Sequence, residues 1–405
     1  MECLPSYSPS TSAPPKYSPD PQEDERRLDL TVRTQRRATP EGTFIRSCSG
    51  ITVVFEEQDV GVTAPTFPRN AIVKGEVLLE GENVYSVKMK LMGEMTMTIP
   101  EGGTSQTQLF TESKTLWQRP TDQPCAQCPS IVPFRLPFPH SYEDGSEIRT
   151  VPPTFTAHSP AVPGIFVRIA YTITITVTKL RFGGFKKRQT VNIPVFYHPR
   201  SRPYMPIGTG LYPFLSTVKC APGDWHQVTS KMKARPGSSV GDVESHLFIP
   251  SVLIYGLSDT IPFHLQLQGS PAALHADLDP SLPWYTDARS DKPVVRVYYL
   301  RQILVKVNGQ KAWRNVVLGE GKMCPVENQY HASPDAEQRG ELALDWEGEL
   351  RCESDATVGG FNIGALVVKD FIMVELKPAS AETSSLLEHQ NPIPIRLVTD
   401  TYSES

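Results

Sequence analysis

The residues whose types and spacing best suit a specific chemical role lie close to the N-terminus. Pro14-Pro15-Lys16-Tyr17 is a PPxY motif, and Leu4-Pro5-Ser6-Tyr7 is its LPxY variant ten residues upstream. Consecutive prolines hold a polyproline II conformation before binding, so little conformational entropy is lost when they dock in the aromatic groove of a WW domain. The tyrosine then enters a neighbouring pocket. The spacing predicts WW-domain recognition by Leu4, Pro5, Tyr7, Pro14, Pro15 and Tyr17.

The two motifs are close enough to act together. Tyr7 and Tyr17 are at most about 31 Å apart if the chain between them is polyproline-like, so a partner with several WW domains could bind both and gain avidity. Ser8 and Ser18 each directly follow a motif tyrosine and precede a proline. A phosphate there adds nearly two negative charges, and our hypothesis is that phosphorylation of Ser8 and Ser18 modulates WW binding.

Signatures of catalysis, phosphate binding and metal binding are scarce elsewhere. The chain lacks the P-loop, dinucleotide-binding, nucleophile-elbow and zinc-protease motifs, and its nine histidines are dispersed without ligand spacing. Cys125 and Cys128 form one Cys-x-x-Cys pair with no second pair at zinc spacing, which favours a surface loop. We predict no cofactor, no metal and no catalytic residue. One enzyme hypothesis remains, a carbohydrate-active β-sandwich enzyme. It is based on four carboxylates that are close together in the sequence: Asp335, Glu337, Glu341 and Asp345.

Composition restricts the class of protein. The 405 residues exceed what one core usually supports, so we expect two domains. The net charge of −4 offers no global attraction to nucleic acid or an anionic membrane. The N-terminus has no basic region followed by an apolar one, and the apolar runs are too short to span a bilayer. Seven cysteines at irregular spacing favour reduced thiols, and we expect a cytoplasmic protein.

Strand patterns dominate the rest of the chain. Proline makes up 38 residues and argues against long helices. From Ile169 to Thr178 apolar residues alternate with threonine at period two, which no helix could use. Gly183-Gly184 and Asn308-Gly309 each suit the positive φ angles of a type I′ hairpin turn. Gly93 is expected to mark a bulge, and residues 222–242 and 333–339 are expected to form loops.

These patterns predict an all-β protein of two tandem antiparallel immunoglobulin-like β-sandwiches with a disordered N-terminal tail. The tail spans residues 1–43, which lack periodic apolar residues and cannot offset the entropy of ordering. The first sandwich spans residues 44–205 and the second spans residues 206–400, with 401–405 as the C-terminal end. The boundary is placed where Arg200-Ser201-Arg202-Pro203 ends the first set of strands.

An ordered series of segments resembles the N-terminal domain of the arrestins over about residues 50–203. The segments are Ile51-Thr52-Val53-Val54-Phe55, the range 71–79, the range 84–93, Val132-Pro133-Phe134-Arg135-Leu136-Pro137, Val151-Pro152-Pro153-Thr154-Phe155, the range 169–173 and Ile193-Pro194-Val195-Phe196-Tyr197. Residues 243–250 and 392–397 resemble parts of the arrestin C-terminal domain. Together with the tyrosine motifs, the chain is similar to fungal-type α-arrestins, although their motifs usually lie toward the C-terminus.

The resemblance implies a non-catalytic adaptor. Its tail would recruit a WW-domain HECT-type ubiquitin ligase, while the sandwiches hold a membrane transporter or receptor that is then ubiquitylated and endocytosed. Such a protein would be recruited from the cytoplasm to the plasma membrane or endosomes, with peripheral membrane association. The alternative is an arrestin-like trafficking or sorting scaffold without ligase recruitment.

A basic patch around the predicted Gly183-Gly184 hairpin could bind an acidic cargo tail or anionic lipid. A plain solvated hairpin is the competing interpretation. The patch consists of Lys179, Arg181, Lys186, Lys187 and Arg188.

Overall fold

The structure is a computed structural model, and its regular secondary structure is almost entirely β-strand. It describes residues 28–30, 40–123, 125–145, 147–158, 164–180, 185–208, 214–278, 286–287, 292–326, 342–378 and 382–403. The helices within these ranges are α1 (Phe214–Cys220), α2 (Pro271–Asp277) and one 3₁₀ turn at Pro222–Asp224. None of them is long and apolar enough to cross a membrane.

Two sheets draw on residues 42–197. The strands of the N-terminal half are β1 (Leu28–Leu30), β2 (Gly42–Cys48), β3 (Ile51–Gln58), β4 (Thr66–Phe67), β5 (Ile72–Leu79), β6 (Val84–Ile99), β7 (Gly103–Gln118), β8 (Ile131–Pro137), β9 (Ser141–Asp144), β10 (Glu147–Thr150), β11 (Phe155–His158), β12 (Phe166–Leu180), β13 (Lys186–Tyr197) and β14 (Ser201–Pro203). One sheet has the order β2-β3-β5-β8, and the other has the order β4-β13-β12-β6-β7 with β11 added to β12.

The alternating sequence of the long strands explains how these two sheets enclose a core. In β12 the alternate residues Ile169, Tyr171, Ile173, Ile175 and Val177 are buried, whereas Ala170 and the threonines between them are partly exposed. The same pattern in β6 buries Met89, Leu91 and Met97. Successive side chains of a strand point to opposite faces, so one face of each sheet packs inward. The register between β6 and β7 shifts at Gly93, which confirms the predicted bulge.

Two further sheets draw on residues 225–398. The strands of this half are β15 (Trp225–Met232), β16 (Val243–Pro250), β17 (Ile254–Gly256), β18 (Thr260–Gly269), β19 (Thr286–Asp287), β20 (Lys292–Pro293), β21 (Val295–Val307), β22 (Gln310–Glu320), β23 (Lys322–Pro325), β24 (Leu342–Arg351), β25 (Phe361–Asn362), β26 (Leu366–Leu376) and β27 (His389–Val398). Within the described ranges, β19 and β20 pair only with each other, and the other strands form sheets of order β15-β16-β18-β24-β23 and β17-β27-β26-β21-β22, with β25 added to β26, around a second apolar core.

The architecture is therefore all-β and sandwich-like, with mostly antiparallel pairing. The exceptions occupy equivalent places in the two halves, because β4 runs parallel to β13 and β17 runs parallel to β27. Asn308 and Gly309 have φ angles of 49° and 82°, and they join β21 to β22 as the predicted two-residue turn. The antiparallel pairing of β12 with β13 confirms the other hairpin, but its Gly183-Gly184 turn lies outside the described residues.

Part of the predicted loop at residues 222–242 is wrong. The 3₁₀ turn at Pro222–Asp224 leads into β15, which pairs with β16 along its whole length. The prolines and glycines that suggested a loop flank this strand, and the strand alternates weakly because it lies at a sheet edge. The predicted loop at residues 333–339 lies outside the described residues.

Candidate functional site

The two tyrosine motifs and the phosphoacceptors Ser8 and Ser18 lie outside the described residues. The nearest described backbone is β1, which falls within the segment expected to be disordered. It pairs antiparallel with β14, and Leu28 lies opposite Pro203. Tyr17 is eleven residues before Leu28, so it can lie at most about 40 Å from that anchor.

The anchor lies where the two halves of the chain meet. The Ser201 backbone N–H donates to Thr399 Oγ1 over 2.8 Å, and the Asp400 N–H donates to the Ser201 carbonyl over 3.0 Å. The Arg200 Nε donates to both Asp400 carboxylate oxygens at 3.1 Å. A charge-assisted, two-oxygen contact of this kind is geometrically specific. The two residues that follow β27 thus hold β14 in place, and β14 pairs with β1.

The structure distributes the basic patch over both faces of its hairpin. Lys179 of β12 lies directly opposite Lys187 of β13. Both lysines project from the same face of the sheet as the buried residues Val177 of β12 and Val191 of β13. Lys186 and Arg188 lie next to Lys187 in the strand, and successive side chains alternate, so these two point to the opposite face of the sheet. Arg181 lies outside the described residues. The described members form a positively charged rim around the hairpin end rather than one flat surface.

Local contacts hold some of these cations. The Lys179 Nζ donates to the Glu80 carbonyl over 2.7 Å, which ties the hairpin to the turn between β5 and β6. The Lys186 Nζ lies 4.2 Å from the centre of the Tyr85 ring, within range of a cation–π interaction. Phe185, next to them, is 75% exposed.

The basic patch also lies on a sheet edge. Among the described residues, β4 covers only Phe196 and Tyr197 of β13, so residues 186–195 have no strand on the side away from β12. Lysine and arginine on an open edge hinder unwanted strand pairing. Edge protection therefore accounts for Lys187 and Arg188 as well as a binding role does.

A buried ion pair in the second half was not predicted. Arg301 and Asp370 lie opposite each other on β21 and β26, and both residues are nearly inaccessible to solvent. On the neighbouring β27, burial lowers the pKa of the Arg396 guanidinium, and the Asp370 carboxylate partly opposes that effect. The sequence carries one signal for this pair, because an arginine and an aspartate each occupy an inward position of an otherwise apolar strand. The sequence does not say that these two residues lie opposite each other, because that depends on the register between the strands.

Of the four acidic residues that suggested an enzyme, Asp345 is the one that the structure describes, and its side chain is 13% exposed. Asp345 Oδ1 lies 2.9 Å from His264 Nε2 and accepts a hydrogen bond from Gln266 Nε2 at the same distance. His264 is buried and stacks on the Phe214 ring of α1, with the ring centres 4.0 Å apart. These contacts fix α1 to the sheet. Asp335, Glu337 and Glu341 lie outside the described residues.

The Cys-x-x-Cys pair and the other described cysteines carry free thiols. Burial raises the pKa of Cys128 to about 11, an effect that Arg119 partly opposes. A thiol with a raised pKa is a poor nucleophile and a poor metal ligand at neutral pH. Within the described part of the chain, no group of three or more histidine, cysteine or carboxylate side chains is arranged to hold a metal ion.

Comparison with known proteins adds no assignment. No protein-family model matches the chain. No curated protein matches its sequence. Function must therefore be inferred from the residues and their geometry.

Proposed function

We propose that this chain is a non-catalytic adaptor that recruits a WW-domain HECT-type ubiquitin ligase to a membrane transporter or receptor, promoting its ubiquitylation and endocytosis. The observation that carries this proposal is the pair of motifs ending at Tyr7 and Tyr17, ten residues apart. Two related motifs in one short segment support avid binding by tandem WW domains. We extend the proposal to an immunoglobulin-like, arrestin-like fold with a disordered leader.

The mechanism is proximity, since the adaptor makes and breaks no bond itself. Cargo lysines delivered within reach of the ligase gain effective concentration. The pairing of β1 with β14 supports this role, because it limits how far the bound ligase can move from the body. We place this activity in the cytoplasm, with recruitment to the plasma membrane or endosomes.

The hairpin cations are the proposed contact for the cargo. Lys179, Lys186, Lys187 and Arg188 would attract an acidic cargo tail or anionic lipid, with Arg181 completing the set. The exposed Phe185 beside them supports a contact that is partly apolar. Charge reversal at Lys187 and Arg188 tests this contact separately from ligase binding.

Capture of the ligase by the full-length chain tests the main proposal. The double variant Tyr7→Ala/Tyr17→Ala should lose at least about tenfold in affinity for a tandem WW-domain protein, because both aromatic anchors are removed. Tyr402→Ala is the matched control, since this partly buried tyrosine near the C-terminal end is not preceded by prolines. Undiminished capture by the double variant would favour the alternative, an arrestin-like sorting scaffold without a ligase.

A further inference from the structure

The outward face of the long sheet in the second half has an unusual composition. Inward residues of β21 contribute to the second core at Val295, Val297 and Tyr299 and to the first core at Ile303, Val305 and Val307. The residues between them therefore point away from both cores. Tyr298, Leu300 and Met373 form a separate apolar cluster on this outward face, with Phe371 packed against it.

Eleven outward positions of three adjacent strands form one continuous face. They are Leu300, Gln302, Leu304 and Lys306 of β21, Lys311, Trp313, Asn315 and Val317 of β22, and Val367, Lys369 and Phe371 of β26. We call this set the tryptophan face. It contains six apolar residues, three lysines and no carboxylate. The charged groups of this set are therefore all positive, and the carboxylates further along the same outward face, Glu320 and Glu375, are paired with Arg296.

Trp313 is the most exposed large apolar residue of this set. It is 65% exposed, and Val317 on the same strand is 43% exposed. Trp313 lies opposite Leu304, which lies opposite Val367, so an apolar row crosses the sheet. Lys306 and Lys311 lie opposite each other on neighbouring strands at one side of this row, and Lys369 lies at the other side. An apolar row that contains a tryptophan and is flanked by lysines suits a membrane interface, where indole rings lie at headgroup level.

Neighbouring contacts hold the tryptophan face rigid. Arg314 Nη1 donates to the His158 carbonyl over 2.6 Å, which joins β22 to β11 of the first half. The Asn308 side-chain amide donates to the Gly102 carbonyl over 2.9 Å at the hairpin turn. The strand that carries Trp313 is thus fixed at two points, and little entropy would be lost when the face docks.

We propose that the tryptophan face docks directly on an anionic membrane surface, with Trp313 at headgroup level and Lys306, Lys311 and Lys369 facing acidic lipids. Charge complementarity identifies the occupant, because juxtamembrane lysines gain energy from acidic headgroups. A regular sheet presents its side chains to a broad surface, which fits a bilayer better than a single peptide strand. This contact goes beyond the adaptor function, because it needs neither the tyrosine motifs nor a ligase.

Vesicle binding by the full-length chain tests this inference. Vesicles of phosphatidylcholine with phosphatidylserine should bind the chain, and vesicles of phosphatidylcholine alone should bind it at least about tenfold more weakly. Lys311→Glu/Lys369→Glu should lower affinity for the acidic vesicles by about tenfold or more. Lys88→Glu/Lys219→Glu makes the same change of charge at two exposed lysines away from the tryptophan face and the hairpin, and it should leave most binding intact. Circular dichroism confirms that each variant is folded.

A second readout locates the contact even if a variant folds poorly. Brominated lipids should quench part of the tryptophan emission of the unaltered chain, and Trp313→Phe should remove that quenching. Absence of quenching, or equal losses for the two charge-reversal variants, would overturn the proposal. Binding of poly-glutamate in preference to acidic vesicles would also overturn it, because an acidic peptide would then be the occupant.

Discussion

Arg301 and Asp370 form a buried ion pair at the boundary between the two apolar cores. The Arg301 Nε lies 2.7 Å from Asp370 Oδ1, and the Nη2 lies 3.2 Å from Oδ2. Along β21, Tyr299 on one side of the pair faces the second core, and Ile303 on the other side faces the first. One continuous strand therefore serves both cores, and the polar pair separates them.

Removal of one partner of this pair should be costly. Arg301→Met leaves the Asp370 carboxylate buried without its main partner, which typically costs about 3–5 kcal/mol in free energy of unfolding. The double variant Arg301→Met/Asp370→Leu should be much less destabilised, because no buried charge loses its partner. Urea denaturation measures both.

A surface pair provides the control for this comparison. Arg351 and Glu349 are 61% and 59% exposed, and Glu349→Gln should cost less than about 1 kcal/mol. If Arg301→Met lowers the free energy of unfolding by no more than Glu349→Gln does, the buried pair does not stabilise the fold more than a surface pair.

Phosphorylation should weaken ligase recruitment. Phosphate on Ser8 or Ser18 adds charge directly beside the tyrosine that must enter an apolar pocket, so affinity for a WW domain should fall severalfold. Isothermal titration of plain and phosphorylated peptides covering residues 1–20 measures the effect. Equal affinities would dispose of a regulatory role for these two serines.

Stability should fall as the pH drops below neutrality. Burial lowers the pKa of His198 and of His389 from their ordinary value of 6.5. Below about pH 6.5 these histidines therefore bind protons more readily in the unfolded chain than in the folded chain, which lowers the free energy of unfolding. Above that pH both histidines are neutral in both states, so they do not change the free energy of unfolding. The free energy of unfolding should be lower at pH 5.5 than at pH 7.5.

The double variant His198→Gln/His389→Gln isolates this effect. It should show a smaller difference in free energy of unfolding between the two pH values than the unaltered chain. An identical difference would assign the pH dependence to other groups.

The turn between β21 and β22 should be sensitive to substitution. Gly309 has a φ angle of 82°, which a residue with a Cβ adopts only with strain. Gly309→Ala should therefore cost about 1 kcal/mol or more. Gly223→Ala is the matched control, because its backbone is not left-handed and its added Cβ would meet no atom within 4 Å. Thermal denaturation should show a lower Tm for Gly309→Ala alone.

Local patterns were sufficient to predict much of the fold. The alternation in β12, the Asn308-Gly309 turn and the bulge at Gly93 follow from interactions within one or two neighbouring strands. Strand β15 was missed because a half-exposed edge strand alternates weakly, and α1 was missed because a seven-residue helix shows too little periodicity. The packing of α1 on the sheet depends on Phe214 stacking on His264, a contact between residues that are distant in the sequence.

Neighbouring residues in the chain are enough to indicate an all-β protein with strand-forming alternation, defined hairpin turns and two tyrosine motifs whose predicted recognition depends on adjacent residues. Contacts between distant residues became visible only in the folded chain. The tertiary structure put the hairpin lysines on opposite faces, paired Arg301 with Asp370, and gathered Trp313 and three lysines on one sheet face. The physical reason is that strand register and sheet order are set by the packing of whole cores, which no short stretch of residues encodes.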